Sequence, residues 1–248
     1  MDNNFKPNLY SYIVKVDWGF SPNPFWGCCT LVCCKQDIRK QARVGDWVLG
    51  TGSVSNDYRK NESFSKKIIY AMEITKVVSM QTYYDICKGN IESEYYTCLK
   101  NKMPDYDSNV YAKKVGDCIY YDISKDYKDA NLERGVHAED SKEIDLSGEN
   151  ALISNNFFYF GKNAIPIPED LLHVVVKYQG FKYKTNVDYV GKFIKWIQRG
   201  EFEQYRNPKN PIPILLDYKD ELPKRQKNFK EPYTCDRDNE VKVIKTCR

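Results

Sequence analysis

Histidine is scarce in this chain, with two residues among 248, and neither lies at zinc-ligand spacing from the cysteines. Long hydrophobic runs are also absent. No apolar segment approaches the ~20 residues that span a bilayer, so we expect no membrane segment. The first six residues lack a basic region followed by an apolar core. We therefore expect no secretory signal and a cytoplasmic protein.

The chain also lacks an excess of charge of one sign. The formal net charge is +4, from 38 basic and 34 acidic residues mixed along the sequence. Dedicated duplex-DNA binders usually carry a clustered basic stripe, so this balance argues against that class. The length and the 42% hydrophobic content suit one large domain, or one domain with an appendage.

Familiar catalytic signatures are missing as well. We find no Gly-x-Ser-x-Gly, no His-x-Glu with Cys-x-x-Cys, no His-Glu-x-x-His and no Gly-Lys-Ser/Thr of a phosphate-binding loop. Catalytic groups also assemble in space, so an enzyme remains an alternative. The balance favours a binding protein without metal or cofactor.

Nine cysteines form the most conspicuous group of reactive side chains. Their odd number and the absence of a signal peptide argue against a disulfide framework. Cys28, Cys29, Cys33 and Cys34 resemble a zinc motif, but neighbouring residues of a strand point to opposite faces, so four ligands would not converge. We interpret the cysteines as small buried hydrophobic residues.

Aromatic residues make up 14% of the chain, and sheet packing explains most of the tyrosines. Trp18, Phe25 and Trp26 differ, because they fall in a proline-containing segment that reads as a surface loop. Their rings either stack on a flat ligand such as a nucleobase or close the end of a barrel. The Asn23 amide either binds a base edge or shapes the turn before Pro24.

Other polar residues have two interpretations each. Thr51 and Ser53 follow close-approach glycines and could face a phosphate or a base. Asp46 and Asp117 are expected to form turns rather than to act as acids. His137 lies in a polar stretch, where a solvated side chain competes with a role in binding or catalysis.

Short strands, separated by turn signals, dominate the predicted secondary structure. We predict strands at residues 10–16, 46–51 and 68–79, and a helix capped by Asn186 that ends at Gly200. This pattern predicts an α+β protein built on a curled sheet or small barrel. We expect a domain over residues 1–180, followed by a C-terminal helix and extended tail over 181–248.

A set of short motifs resembles the nucleotide-modification-associated domain family, second type. The similar segments begin with Tyr12 to Val14, Asp17 and Gly19, and continue with residues 23–27, 45–47, 50–52, 70–72, 116–117, 120–121, His137, 145–148 and 157–161. They cover roughly residues 10–164. The Gly-Asp-strand unit followed by residues 69–74 is also similar to PUA-like barrels, including EVE and ASCH domains. These resemblances imply a PUA-like curled β-barrel with peripheral helices.

The first resemblance implies a ligand class and leaves the activity open, because the family is associated with phage and bacterial systems that make, read or counter modified nucleotides. We therefore expect a binding protein for a modified nucleobase, nucleotide or nucleotide-derived signal, serving anti-phage defence or counter-defence. It would sequester a free nucleotide or read modified DNA. The expected ligand-binding residues are Trp18, Asn23, Phe25, Trp26, Thr51, Ser53, Tyr121, His137 and Tyr159.

Two other functions stay open. One is an enzyme that modifies or hydrolyses a nucleotide or base, with His137 and either Asp17 or Asp145 as acid–base candidates. The other is a protein-interaction adaptor, whose aromatic loop would lie in an interface. Self-association into a homo-oligomer is also left open.

Overall fold

The computed structural model describes residues 5–54, 62–124, 127, 129–135, 137, 141–176, 181–182 and 187–217. The strands are β1 (Leu9–Val14), β2 (Cys29–Leu31), β3 (Trp47–Gly52), β4 (Lys67–Glu73), β5 (Lys76–Ser79), β6 (Ile119–Tyr121), β7 (Asn131–Arg134), β8 (Asn150–Ser154), β9 (Asn156–Tyr159), β10 (Ile165–Pro166) and β11 (Phe181–Lys182). The α-helices are α1 (Gln36–Gln41), α2 (Met80–Lys88), α3 (Tyr96–Leu99), α4 (Tyr111–Lys114), α5 (Lys142–Leu146) and α6 (Val187–Ile197). Short 3-10 helices occupy Gly161–Asn163, Glu169–Val174 and Gly200–Tyr205.

The largest sheet has the strand order β10-β4-β3-β1-β11, and β9 also pairs with β4. β1 and β3 run parallel, and the other pairs in this sheet are antiparallel. Apolar residues cover both faces of the sheet. Val48 faces one hydrophobic cluster, whereas its neighbours Trp47 and Leu49 face another. Because successive side chains of a strand point to opposite faces, the sheet separates two cores.

Two smaller sheets lie outside this one. β2, β8 and β5 form a three-stranded sheet, and β6 pairs with β7. In the described residues the sheets are open, so the α+β class is confirmed, whereas a closed PUA-like barrel does not appear there. The single strand predicted at 68–79 is wrong. The chain leaves the large sheet after β4 and enters the three-stranded sheet as β5.

The segment after residue 186 packs against the same sheet as the rest of the chain. α6 contributes Val190, Phe193, Trp196 and Ile197 to the core that also contains Trp47. Further on, Leu215 N donates to the Asp17 carbonyl at 3.1 Å. The predicted boundary at residue 180 therefore falls between elements that contact one another. Asn186 and residues 218–248, with most of the predicted tail, lie outside the described residues.

The cysteines correct one expectation. Cys28 and Cys98 form a disulfide across a sequence separation of 70 residues. The interpretation as free thiols holds for Cys29, Cys33, Cys87 and Cys118, which are all buried. Among the described helices, none combines the length and the apolar character needed to cross a bilayer.

Candidate functional site

The loop of residues 17–27 contains most of the predicted aromatic site, and Asp17 anchors its start. The Tyr159 hydroxyl donates to both Asp17 carboxylate oxygens at 2.8 Å. The backbone N–H groups of Gly19 and Ile214 donate to the same carboxylate. Burial raises the pKa of Asp17 to about 6, even though these hydrogen bonds oppose the rise. Asp17 and Tyr159 thus join the loop to β9 and to the C-terminal segment.

Two of the predicted stacking rings are covered by protein. Trp18 is 2% exposed and Phe25 is 6% exposed. The Tyr111 hydroxyl donates to the Trp18 carbonyl at 2.8 Å, and the Phe25 ring meets the Tyr111 ring edge-on. Both rings belong to the first hydrophobic cluster. Trp26, in contrast, is only partly buried and is followed by the exposed Gly27.

Asn23 sits in a fully buried polar cluster beneath this loop. Its Oδ1 accepts a hydrogen bond from Lys102 Nζ at 2.9 Å. Lys102 Nζ also donates to the carbonyls of Asn23 and Cys28, each at 2.8 Å. The ammonium therefore bridges the two residues that flank the turn of residues 24–27. Burial lowers the pKa of Lys102 to about 8, because desolvation outweighs the attraction of Asp117.

Asp117 lies in the same cluster and is more than the turn former that we expected. Its Oδ2 accepts hydrogen bonds from Thr30 Oγ1 at 2.7 Å and Tyr83 OH at 2.5 Å. Burial raises the pKa of Asp117, and the Lys102 charge opposes that rise. The turn interpretation suits Asp46, whose carboxylate accepts from the backbone N–H groups of Asn8 and Arg43.

Three buried polar atoms at this cluster and in the loop lack a hydrogen-bond partner in the described structure. They are Asn23 Nδ2, Trp26 Nε1 and Asp117 Oδ1. An unsatisfied buried donor or acceptor costs about 1–3 kcal/mol, so such groups are uncommon and call for a partner. Trp26 Nε1 is therefore a donor that a ligand or water can use, whereas the Asn23 amide already interacts with the Asp117 carboxylate and lowers its pKa.

The backbone at Trp26 is strained. Its φ is 67°, in the left-handed region that costs a residue with a Cβ about 1–2 kcal/mol. Such strain concentrates at binding and catalytic sites. The conformation holds the Trp26 ring on the loop just before Gly27.

This strain predicts a difference between two variants that both lose the ring. The free energy of unfolding of Trp26→Gly should be about 1 kcal/mol higher than that of Trp26→Ala, because glycine adopts positive φ without a steric penalty. This difference already allows for the greater backbone entropy of glycine in the unfolded chain. Urea denaturation of both variants measures the difference. Equal stability, or a more stable alanine variant, would contradict strain at this position.

His137 is buried rather than solvated, at 3% exposure. Its Nδ1 lies 2.7 Å from Asp145 Oδ2, which also accepts from the Tyr120 hydroxyl at 2.8 Å. Burial alone would raise the pKa of Asp145, but the neighbouring His137 and Arg39 outweigh it and lower that pKa. An ionised carboxylate only accepts hydrogen bonds, so the Nδ1 nitrogen carries the proton. Of the two acid–base partners that we considered, the structure places Asp145 beside His137.

Thiol groups also lie near the same imidazole. Ligand atoms of Cys33, Cys118 and His137 all lie within 4.8 Å of one another. Cys34 Sγ is 3.6 Å from His137 Nε2, but Cys34 is not a free thiol. The neighbouring cysteines at residues 28–34 did not predict this arrangement, because Cys118 and His137 lie far from Cys33 in the sequence.

The remaining predicted residues contact other elements. Thr51 Oγ1 donates to the Tyr12 carbonyl at 3.3 Å, and the Ser53 carbonyl accepts from Phe64 N. Tyr121 stacks on Tyr84 with ring centroids 5.2 Å apart. The glycines beside Thr51 allow side chains of the protein itself to approach: a Cβ at Gly50 would meet Tyr70, and one at Gly52 would meet Phe64.

Sequence reasoning missed Lys102 and Arg39 entirely. Both are fully buried cations, and nothing in their local sequence distinguishes them from the surface lysines and arginines around them. Arg39 donates to the carbonyls of Asn150, Asp145 and Cys34.

Comparison with known proteins identifies the family. The model of the family described as nucleotide modification associated domain 2 matches residues 6–213. The chain belongs to this family. The match extends well beyond residues 10–164 and includes α6. It links the protein to nucleotide modification and is compatible with a nucleotide partner. No curated protein and no solved structure matches the chain.

Proposed function

We propose that the protein binds a modified nucleobase, nucleotide or nucleotide-derived signalling molecule at the loop of residues 17–27. The observation that carries this proposal is Trp26 Nε1, a buried donor without a hydrogen-bond partner in the described structure. A nucleobase edge presents ring-nitrogen and carbonyl acceptors, which suit this donor, and the Asn23 amide and the Asp117 carboxylate lie in the polar cluster at the same loop. Membership of a nucleotide-modification family supports the same ligand class.

The ligand would reach the site past Trp26 and Gly27, the partly buried and exposed residues of the loop. A base stacked on the Trp26 ring would gain about 1–3 kcal/mol. Trp18 and Phe25 are buried. They would support the loop by packing in the core, or would stack on the ligand only after the loop moves. Tyr159 would act through Asp17 by fixing the start of the loop.

A thermal-shift panel tests this function, with nucleosides, modified nucleotides, NAD-derived compounds and cyclic oligonucleotides as probes. A ligand at ~100 times its dissociation constant should stabilise the fold by about 2.7 kcal/mol. For a ligand found in this way, Trp26→Ala should weaken binding by about tenfold or more, because stacking is lost. Trp26→Phe keeps a ring and should lose only the Nε1 hydrogen bond.

Tyr96→Ala is the matched control, since Tyr96 is an exposed aromatic residue outside the loop. Calorimetric titration should give it the affinity of the unchanged protein. If folded Trp26→Ala binds as tightly as Tyr96→Ala, Trp26 does not contact the ligand. A panel without a single hit would favour bases within a polymer, or a protein partner.

Salt dependence separates the two uses of such a site. A reader of modified DNA displaces counterions, so its affinity falls steeply as salt increases. A protein that sequesters a free nucleotide in defence or counter-defence shows a weaker dependence. The near balance of charge along the chain favours the free nucleotide.

A second candidate is an enzyme acting on a nucleotide, favoured by the short Nδ1–Oδ2 contact between His137 and Asp145. A carboxylate that orients an imidazole is the usual arrangement behind a general base. His137→Gln should then abolish turnover of the identified ligand while binding is retained. Turnover that survives this substitution would remove His137 from catalysis.

A further inference from the structure

We propose that Cys33, Cys118 and His137 bind a zinc ion. Their ligand atoms lie within 4.8 Å of one another, and all three residues are buried. Thiolate and imidazole are the ligands that zinc prefers in proteins. This inference is independent of the proposed nucleotide site at the loop of residues 17–27, which uses different side chains, but it competes with the second candidate function, because a His137 that binds zinc cannot act as a general base.

The distances require only a small contraction. Two thiolates at about 2.3 Å from a tetrahedral zinc are about 3.8 Å apart. The three ligand atoms therefore need to approach by about 1 Å or less. Cys118 directly precedes β6, and His137 lies just beyond β7, so the two-stranded β6–β7 sheet positions both of them.

A carboxylate already orients the imidazole as in known zinc sites. Histidines that bind zinc usually donate the other ring N–H to a carboxylate or carbonyl. Here Nδ1 faces Asp145 Oδ2 at 2.7 Å, so coordination would use Nε2. The Tyr120 hydroxyl and the Cys34 backbone N–H hold the same carboxylate in place.

The charges of the buried cluster also favour a divalent cation. Two thiolates neutralise one Zn²⁺, and the buried Arg39 guanidinium compensates the Asp145 carboxylate electrostatically. The filled site would therefore be electrically neutral, which removes the main cost of burying ions. Cys34 is not counted as a ligand, because it is not a free thiol.

Close packing fixes the position of Cys118. A Cβ added to Gly135 would lie 2.8 Å from Cys118 Sγ and 2.9 Å from its Cα. The backbone of Cys33 is held as well, because the Ser21 hydroxyl donates to the Cys33 carbonyl at 3.0 Å.

The described residues supply three ligands, which is the number that zinc sites with an open fourth position use.

Metal analysis of the full-length protein, purified without chelator and without added thiol so that the disulfides stay intact, tests the site. We expect about one zinc per chain by mass spectrometry of the metal. Replacing it with Co²⁺ should give the intense tetrahedral visible bands and a thiolate-to-cobalt charge-transfer band. Cys33→Ser and Cys118→Ser should each lose most of the metal.

Cys29→Ser and Cys87→Ser are the matched controls, since each removes a buried free thiol outside the cluster. Both should retain zinc. Equal zinc in Cys118→Ser and Cys87→Ser would overturn the proposal, and so would folded wild-type protein that takes up neither zinc nor cobalt. If the serine variants do not fold, the cobalt spectrum of the wild type decides: a charge-transfer band supports thiolate ligation, and its absence overturns the site.

Discussion

Lys102→Met is expected to lower the free energy of unfolding by about 3 kcal/mol. The substitution keeps an apolar chain of similar length but removes three hydrogen bonds, to Asn23 O, Asn23 Oδ1 and Cys28 O. Asn23 O would keep its hydrogen bond from Thr30 N, and Asn23 Oδ1 would keep the one from Phe25 N, but all three acceptors would lose the bond from the ammonium. The Asp117 carboxylate would also lose the cation that opposes its raised pKa. Methionine avoids the desolvation of the ammonium, but this gain is smaller than the sum of those losses.

The dependence of this effect on pH identifies its cause. Burial lowers the pKa of Lys102 from 10.5 to about 8. Between about pH 8 and pH 10, the unfolded chain holds the proton and the native state releases it, so the stability that Lys102 contributes rises with pH. The difference between wild type and Lys102→Met should therefore widen over this range, because the other alkaline titrations are common to both proteins.

Urea denaturation at several pH values measures both effects. Lys113→Met is the matched control, since Lys113 is exposed, and its stability should stay within about 0.5 kcal/mol of the wild type. A loss for Lys102→Met no larger than that of this control would show that the buried ammonium does not hold the loop.

Local patterns predicted the elements whose formation depends on local sequence. The apolar spacing after residue 186 predicted α6, and the structure confirms a helix at Val187–Ile197. The first strand is confirmed as Leu9–Val14. The parallel pairing of β1 with β3 had no signal, because pairing depends on contacts between distant segments.

The candidate site shows the same limit. Trp26 and Asn23 were predicted because an aromatic ring and an amide in a turn are visible in the sequence. Lys102 was missed, because its burial depends on contacts with Cys28 and Asn23, which lie 74 and 79 residues earlier in the chain. The zinc motif was sought among neighbouring cysteines, whereas the cluster in the structure combines Cys33 with Cys118 and His137.

Asp145→Asn is expected to destabilise the protein by about 3 kcal/mol, because it removes the buried charge that pairs with His137 and that also compensates the Arg39 guanidinium electrostatically. The carboxylate accepts from His137 Nδ1, Tyr120 OH and Cys34 N. Its pKa is lowered, so its contribution is present above the ordinary aspartate range and lost as the pH falls through the lowered pKa. The difference from wild type should therefore shrink in acid.

Asp107→Asn makes the same chemical change at an exposed site and should leave the stability within about 0.5 kcal/mol of the wild type in urea denaturation.

Asp145→Asn has a second expected effect, on the metal. An asparagine amide can donate to Nδ1, which moves the imidazole proton to Nε2 and blocks the nitrogen that would bind zinc. We expect zinc affinity to fall about 10–100-fold. Unchanged stability would contradict a stabilising role of the buried carboxylate charge, whereas lost stability with unchanged zinc affinity would show that Asp145 supports the fold without orienting His137 for a metal.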